Sequence, residues 1–488
     1  MSAYSDLTSI MSRIACIEEA IGYLEWDADT MMPRLGARQR AEQIGTLKSV
    51  QLALLTHKDL DELIERASGE RLSAWQHANL ALIRHRATHL SGVPPEIASK
   101  QASLSSLCRS AWRQAKAKGD FRVILPHFSP LVANTRHIAR IKGDRLGCGP
   151  YQALMDAYEP GLSVDVVDAL FADLEPFLRE AVALSPRGGL CPTASSFSQD
   201  KQLVLFRDVM ASLGFAWSRG RLDCAPHPFC AGTSKDVRPT TRCDRRDFMA
   251  GLLYTLHETG HAFYIQGLPR AWARQPVGGA PSAAFHEALA LIFDTYIGRS
   301  DSFIRWLAPL ASGVFDTAIA PETLACRYRR IFPSELRLGS DEVTYMLHII
   351  LRYKLERQLI ENSLEAADIP AAWSEMLRNM FGLSATDDSR GCLQDIHWYA
   401  GSFGYFPTYG LGAVISAQIF SRLLSDLPGV QSDIEIGEFT GLRSWLLRHV
   451  YTHGARYSTP DLVKRISGDA LSAAFYKHHI AMRYVSVR

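Results

Sequence analysis

The 488-residue chain contains no run of about 18 apolar residues, so nothing in it reads as a membrane span. Its start, MSAYSDLTSIMSRIACIEEA, lacks a basic segment followed by an apolar one, and no secretory signal is expected there. Charge of either sign is not in excess. A formal net charge of +2 gives no bulk field for nucleic acid or an anionic membrane, and neither is expected as a partner. The nine cysteines form no C-x-x-C pair and keep no regular spacing, which argues against a disulfide framework and a thiolate zinc site. Dispersed thiols fit a reducing compartment, so a soluble, cytoplasmic protein is expected. Internal repeats and low-complexity tracts are missing too. The length excludes one compact core of ordinary size and leaves two or more lobes, or one large multi-layer body.

Strand-like alternation is scarce, and apolar residues recur at spacings of three and four. Residues 37–67 carry Ile44, Leu47, Val50, Leu52, Leu55, Leu60 and Leu63 in that rhythm. Residues 164–184 do the same, with Ser163 as N-cap, as do 342–362 and 411–427. Between 222 and 242, Pro226, Pro228, Gly232 and Pro239 break the pattern and predict a small hairpin. The fold class is therefore mainly α, a large multi-helix body with at most a small β hairpin or sheet. Residues 185–196, SPRGGLCPTASS, are the candidate loop between lobes of a single domain over 1–488, with a helical lobe over about 1–190 and a core over about 200–488.

The stretch LLYTLHETGHAFYIQG, residues 252–267, holds the pattern H-E-x-x-H. On a helix His257 and His261 stand one turn apart and reach one ion, while Glu258 lies close enough to take a proton from an attacking water. The flanking apolar residues suit a buried helix, and Gly260 permits a second backbone to pack closely. A G-x-x-H extension after the second histidine is absent, because those positions are Tyr264 and Gly267. The third ligand is then sought on the next helical stretch, FHEALALIFDTYIG, where Glu287 needs a partner in apolar surroundings. His286 is its rival; Glu287 is preferred, with His286 behind it or toward substrate. Two histidines and a glutamate leave an open position, which is the catalytic arrangement.

Further segments carry a resemblance. They are LEWDADTMMPRLGARQRAEQ (24–43), HPF (227–229), Asp236, Arg238 and Thr240 in D-x-R-x-T, RLGSD (337–341), and GCLQDIHW (391–398) running into GSFGYFPTYGLG (401–412). In this order, with HETGH among them, they make the chain similar to the carboxypeptidase Taq family of metallocarboxypeptidases over nearly its whole length. The resemblance implies a mostly helical fold with a deep groove over the metal, removal of single residues from peptide carboxyl termini, and a homodimer. It places the metal ligands on His257, His261 and Glu287 and the general base on Glu258. The sequence departs where the family has H-E-S-Q or H-E-G-Q, reading His286-Glu287-Ala288-Leu289, and in Leu336 before Arg337.

A carboxyl-terminal exopeptidase must hold a free carboxylate, best done by a guanidinium. Arg337 is the first candidate, followed by Arg238 and Arg352. His397, Tyr405 and Tyr409 are candidates for donors to the developing oxyanion, His227 for a substrate contact and Gln394 for a supporting one. The expected cofactor is Zn²⁺, with Co²⁺ as the alternative, and the expected partners are peptides with a free carboxyl end. A zinc aminopeptidase or endopeptidase, or a peptide-binding scaffold without activity, are the rival readings.

Overall fold

A computed structural model of the chain describes residues 2–56, 59–184, 196–328 and 330–485. Twenty α-helices and one three-stranded sheet make up its regular structure among those residues. The expected interlobe loop at 185–196 falls, but for its last residue, outside the described residues. No described helix is long and apolar enough to cross a membrane.

The chain divides into two compact units, each assembled from three separate segments. The first comprises Met1–Ala87, Gly189–Arg329 and Ile415–Leu471; the second comprises Thr88–Gly188, Arg330–Val414 and Ser472–Arg488.

In the first unit the central element is the helix Phe248–Gly267, which carries HETGH. Asp247 caps it by accepting from the Ala250 N–H at 3.2 Å. Leu252, Leu256, Ala262 and Tyr264 are fully buried, as are Gly260 and Thr259 between them, so the helix is enclosed on most sides. Against it lies the predicted hairpin, extended by one strand. Strand β2 (Cys230–Thr233) pairs antiparallel with β3 (Asp236–Thr241), and β1 (Asp223–Cys224) adds in parallel on the other side of β3. Thr255 of the helix donates to Thr241 Oγ1 at 2.8 Å, which pins β3 to it. The next helix, Ala283–Leu291, is capped by Ser282 and continues without a break into a π-helical turn, Ile292–Ile297. The rhythm over 37–67 resolves into two helices, Ala37–Leu55 and Asp59–Ser68. The first buries only Leu55, so the apolar pattern there marks a helix whose Val50 and Leu52 stay exposed.

In the second unit the helices Val164–Leu184 and Glu342–Ile360 pack together, close to the spans expected from sequence. Ser163 Oγ accepts from the Asp165 N–H at 3.0 Å, and Asp341 caps the second helix through the Val343 and Thr344 N–H groups, each at 3.0 Å. Val167, Leu174 and Leu178 from one helix and Ile349, Leu355 and Leu359 from the other are core residues.

Candidate metal centre

His257 and His261 come from successive turns of the helix Phe248–Gly267, with ring centroids 4.8 Å apart. Glu287 comes from the following helix. Its Oε2 lies 3.8 Å from Nε2 of each histidine. Neither separation is a hydrogen bond. Ligands around a tetrahedral ion at ordinary zinc distances stand roughly 3.3–3.5 Å from one another. Three donor atoms that converge without bonding to each other, all within 4.8 Å, leave a place an ion fits.

The close approach of the two helices is written into the motif. An added Cβ at Gly260 would lie 2.8 Å from the Cα of Ala290 and 2.9 Å from the Phe293 ring, so a side chain there would force the Glu287 helix away. Ala288 and Leu289, which replace the polar pair expected beside the third ligand, are fully buried. At these positions apolar packing stands where the family has hydrogen-bonding groups.

Charge at the site is settled by burial and neighbours. Burial disfavours a charged His257, but the Glu287 and Asp294 carboxylates outweigh it and lift the ring to about 10. Burial pushes the Glu258 carboxyl up to about 7; His257 opposes this, and Glu287 and Asp294 add to it. His261 is held well below its ordinary value by burial and by its histidine neighbours. His286, whose ring lies 4.4 Å from that of His261, is pushed down to about 4, chiefly by burial. It therefore stays neutral beside His261.

Asp294 was not among the residues singled out from sequence. Its Oδ2 lies 3.6 Å from His257 Nδ1, on the ring edge away from Glu287. A carboxylate there favours the proton on Nδ1 and leaves the lone pair on Nε2, the nitrogen that faces Glu287. The available signal was an aspartate in the apolar run after Glu287, but the π turn that carries it follows no ordinary helical period.

Arg238 and His227 also belong to this unit. Arg238 makes a two-pronged pair with Asp236 at 3.0 and 2.8 Å, and its guanidinium lies 4.6 Å from the Tyr23 ring centroid and 4.4 Å from that of Trp26. The W-D segment of the first helix, Ala3–Thr30, and the D-x-R-x-T strand thus form one joint, and Arg238 is its centre. His227 is exposed, between β1 and β2.

The remaining candidates gather in the second unit. Arg337 pairs with Asp395 (Nη2–Oδ1 2.7 Å), and Arg352 pairs with the other oxygen of the same carboxylate at 2.6 Å. Burial works to raise the Asp395 carboxyl, but the two guanidiniums outweigh it and hold Asp395 well below the usual carboxylate range. Burial brings Arg352 down to about 10 against the pull of Asp395. Arg337 lies over the Tyr345 and Tyr409 rings. Nε2 of His397 stands 3.3 Å from the Tyr409 hydroxyl, with the Tyr405 ring stacked alongside, and burial pushes His397 down to about 4. Gln394 is occupied with the backbone: its Oε1 accepts from the Arg337 N–H at 2.8 Å, and its Nε2 donates to the Glu335, Arg390 and Gly391 carbonyls. Glu356 is fully buried and was also missed. It accepts from Trp398 Nε1 at 2.9 Å and from the Gly404 N–H, while burial lifts it to about 7.

A mainly helical protein with H-E-x-x-H on one helix, a converging glutamate on the next and a buried carboxyl beside them has the constitution of a metallopeptidase. The carboxypeptidase Taq (M32) metallopeptidase family matches residues 6–484 of the chain. Carboxypeptidase 1 of Bacillus subtilis is 31% identical over 487 residues, covering 97% of this chain and 96% of the relative. Thermostable carboxypeptidase 1 of Thermus thermophilus is 31% identical over 504 residues, covering 100% and 99%. Among solved structures, metallocarboxypeptidase 1 of Trypanosoma cruzi superposes with a TM-score of 0.95 at 32% identity, covering 99% of each chain. The chain belongs to the carboxypeptidase Taq (M32) family and is a metal-dependent carboxypeptidase.

Proposed function

We propose that His257, His261 and Glu287 hold a zinc ion, with cobalt as an alternative occupant, and that Glu258 is the general base for release of single residues from peptide carboxyl ends. The observation that carries this reading is the convergence of both Nε2 atoms on Glu287, with the buried Glu258 one residue beyond the first ligand. A divalent ion in such a site supplies Lewis acidity, activating a water and polarising the scissile carbonyl. Glu258 would take a proton from the attacking water and return one to the leaving amine. A carboxyl pushed toward neutral pH by burial is suited to both halves of that transfer. Asp294 fixes the ring of His257, and the neutral His286 borders the ligands.

Recognition of the substrate carboxylate is assigned to Arg337, with Arg352 beside it. Two guanidiniums around one carboxylate leave one unit of positive charge uncompensated, which is what an incoming carboxylate requires. Tyr409, Tyr405 and His397 are assigned polar contacts to the same ligand. Arg238 takes a structural role in this reading, and Gln394 supports Arg337 from behind. A homodimer is carried over from the family resemblance and cytoplasmic residence from the dispersed cysteines.

The test uses metal-loaded protein and two peptides, one acetylated at its amino end and one amidated at its carboxyl end, followed by mass spectrometry. Stepwise shortening of the first with the second left intact is expected, in zinc and in cobalt. Cleavage of the amidated peptide would contradict the assignment of carboxylate recognition.

A further inference from the structure

The helix Glu342–Ile360 holds one segment of the second unit at three points. Arg352 Nε donates to Asp395 Oδ2 at 2.6 Å. One turn further on, the fully buried Glu356 accepts from Trp398 Nε1 through Oε2, at 2.9 Å, and from the Gly404 N–H through Oε1. These two donors bracket a turn. Trp398 directly follows His397, and Gly404 directly precedes Tyr405. At the ends of the turn the His397 and Tyr405 rings stack, with centroids 5.8 Å apart and planes inclined by 17°. The turn also rests on backbone: a Cβ added at Gly404 would lie 2.7 Å from the carbonyl carbon of Leu154 and from the Met155 nitrogen.

Packing alone does not account for a carboxylate at this position. Trp398 lies edge-on to Trp373 and Phe406, with centroids at 6.1 and 5.9 Å. An apolar neighbour would serve those rings without the cost of desolvating a charge. What the carboxylate adds is two acceptors on one planar group. We propose that Glu356 is the positioning residue of carboxylate recognition, fixing both ends of the turn so that His397 and Tyr405 meet the substrate carboxylate together. This role rests on the assignment of those two side chains to that ligand.

Glu356→Gln exchanges one acceptor oxygen for a donor NH2, so one end of the turn loses its anchor. Trp398→Phe keeps a ring and removes the N–H, which frees the turn at one end only. Both changes leave Arg337, Arg352, His397 and Tyr405 in place, so an effect on the substrate must come through position. In the double variant the one remaining amide oxygen still serves the Gly404 N–H. Only the Trp398 end is then lost, and the two changes do not add.

The test is steady-state kinetics of the metal-loaded, full-length protein on an acetylated peptide with a free carboxyl end. Glu356→Gln, Trp398→Phe and the double variant are measured beside His397→Ala and Tyr405→Phe, each with its metal content and unfolding midpoint. Each of the first two should keep its metal and raise KM about 3–10-fold, the worth of one net hydrogen bond. Their kcat should stay within about twofold of the original, because the chemical groups are untouched. The double variant should show a KM no higher than the worse single one. Trp398→Phe, the milder change, carries the test if Glu356→Gln does not fold. An unchanged KM in the Glu356 and Trp398 variants, with a raised KM in His397→Ala or Tyr405→Phe, would overturn the positioning role alone. An unchanged KM in all of them would overturn the assignment of His397 and Tyr405 to the substrate, and this role with it. A lowered unfolding midpoint with KM unmoved, or effects that multiply in the double variant, would reduce Glu356 to a structural group.

Discussion

The Cα of Ala290 lies where a side chain on Gly260 would begin, 2.8 Å from the position of its Cβ. The glycine inside HETGH is therefore a spacing element that lets the Glu287 helix come within reach of both histidines. Gly260→Ala should cost about 1–3 kcal/mol of stability by overpacking. It should also lower bound metal, because the backbone beside Glu287 must retreat. Thermal unfolding and metal analysis of the purified variant check both; a variant with full metal and unchanged stability would contradict this role.

Asp294, 3.6 Å from His257 Nδ1, is expected to act on a bound metal through that ring. Asp294→Asn should weaken metal affinity by about 10–100-fold, with turnover recovering as metal is added in excess. Competition with a chelating dye measures the first, and activity against metal concentration the second. Affinity equal to that of the unmodified chain would remove Asp294 from the site.

Metal loading should be favoured by rising pH. His257 without metal is lifted to about 10, so at neutral pH it carries a proton that the ion must expel. Below that value the apparent affinity should rise by roughly tenfold per pH unit, and Glu258, which titrates near 7, adds to the loss on the acid side. Metal titrations between about pH 6 and pH 8 read the slope directly. A flat profile would mean that His257 binds no proton the metal must displace.

Arg238 should behave as a joint. Removing it in Arg238→Ala leaves Asp236 unpaired and the Tyr23 and Trp26 rings without their cation, at about 1–2 kcal/mol. Denaturant unfolding should register that loss, while KM for peptides stays within about twofold of the original, a change worth under roughly 0.5 kcal/mol. A large rise in KM with stability intact would return Arg238 to carboxylate recognition.

Much of this centre is legible before any coordinates. The HETGH spacing puts His257, Glu258 and His261 on one stretch of helix, and the apolar run around Glu287 marks the carboxylate that the next helix brings to them. The broken, proline-rich stretch over 222–242 marks the one place where strands form among the described residues. What escapes is what depends on distant partners or irregular backbone. Asp294 reaches His257 from a π turn, which has no period to read. Arg238 is identified by rings some two hundred residues earlier in the chain, and the sharing of Asp395 between Arg337 and Arg352 has no local signature. The segments of each unit are likewise interleaved, so no composition shift marks their limits.

The account stands or falls on separate roles for two adjacent carboxylates, Glu287 as ligand and Glu258 as base. The most direct measurement is metal stoichiometry and turnover of Glu258→Gln and Glu287→Ala, side by side with the unmodified chain. Glu258→Gln should keep its metal and lose turnover by a factor of about 10²–10⁴ or more. Glu287→Ala should lose the metal itself. Full turnover in Glu258→Gln, or a full complement of metal in Glu287→Ala, would contradict the assignment.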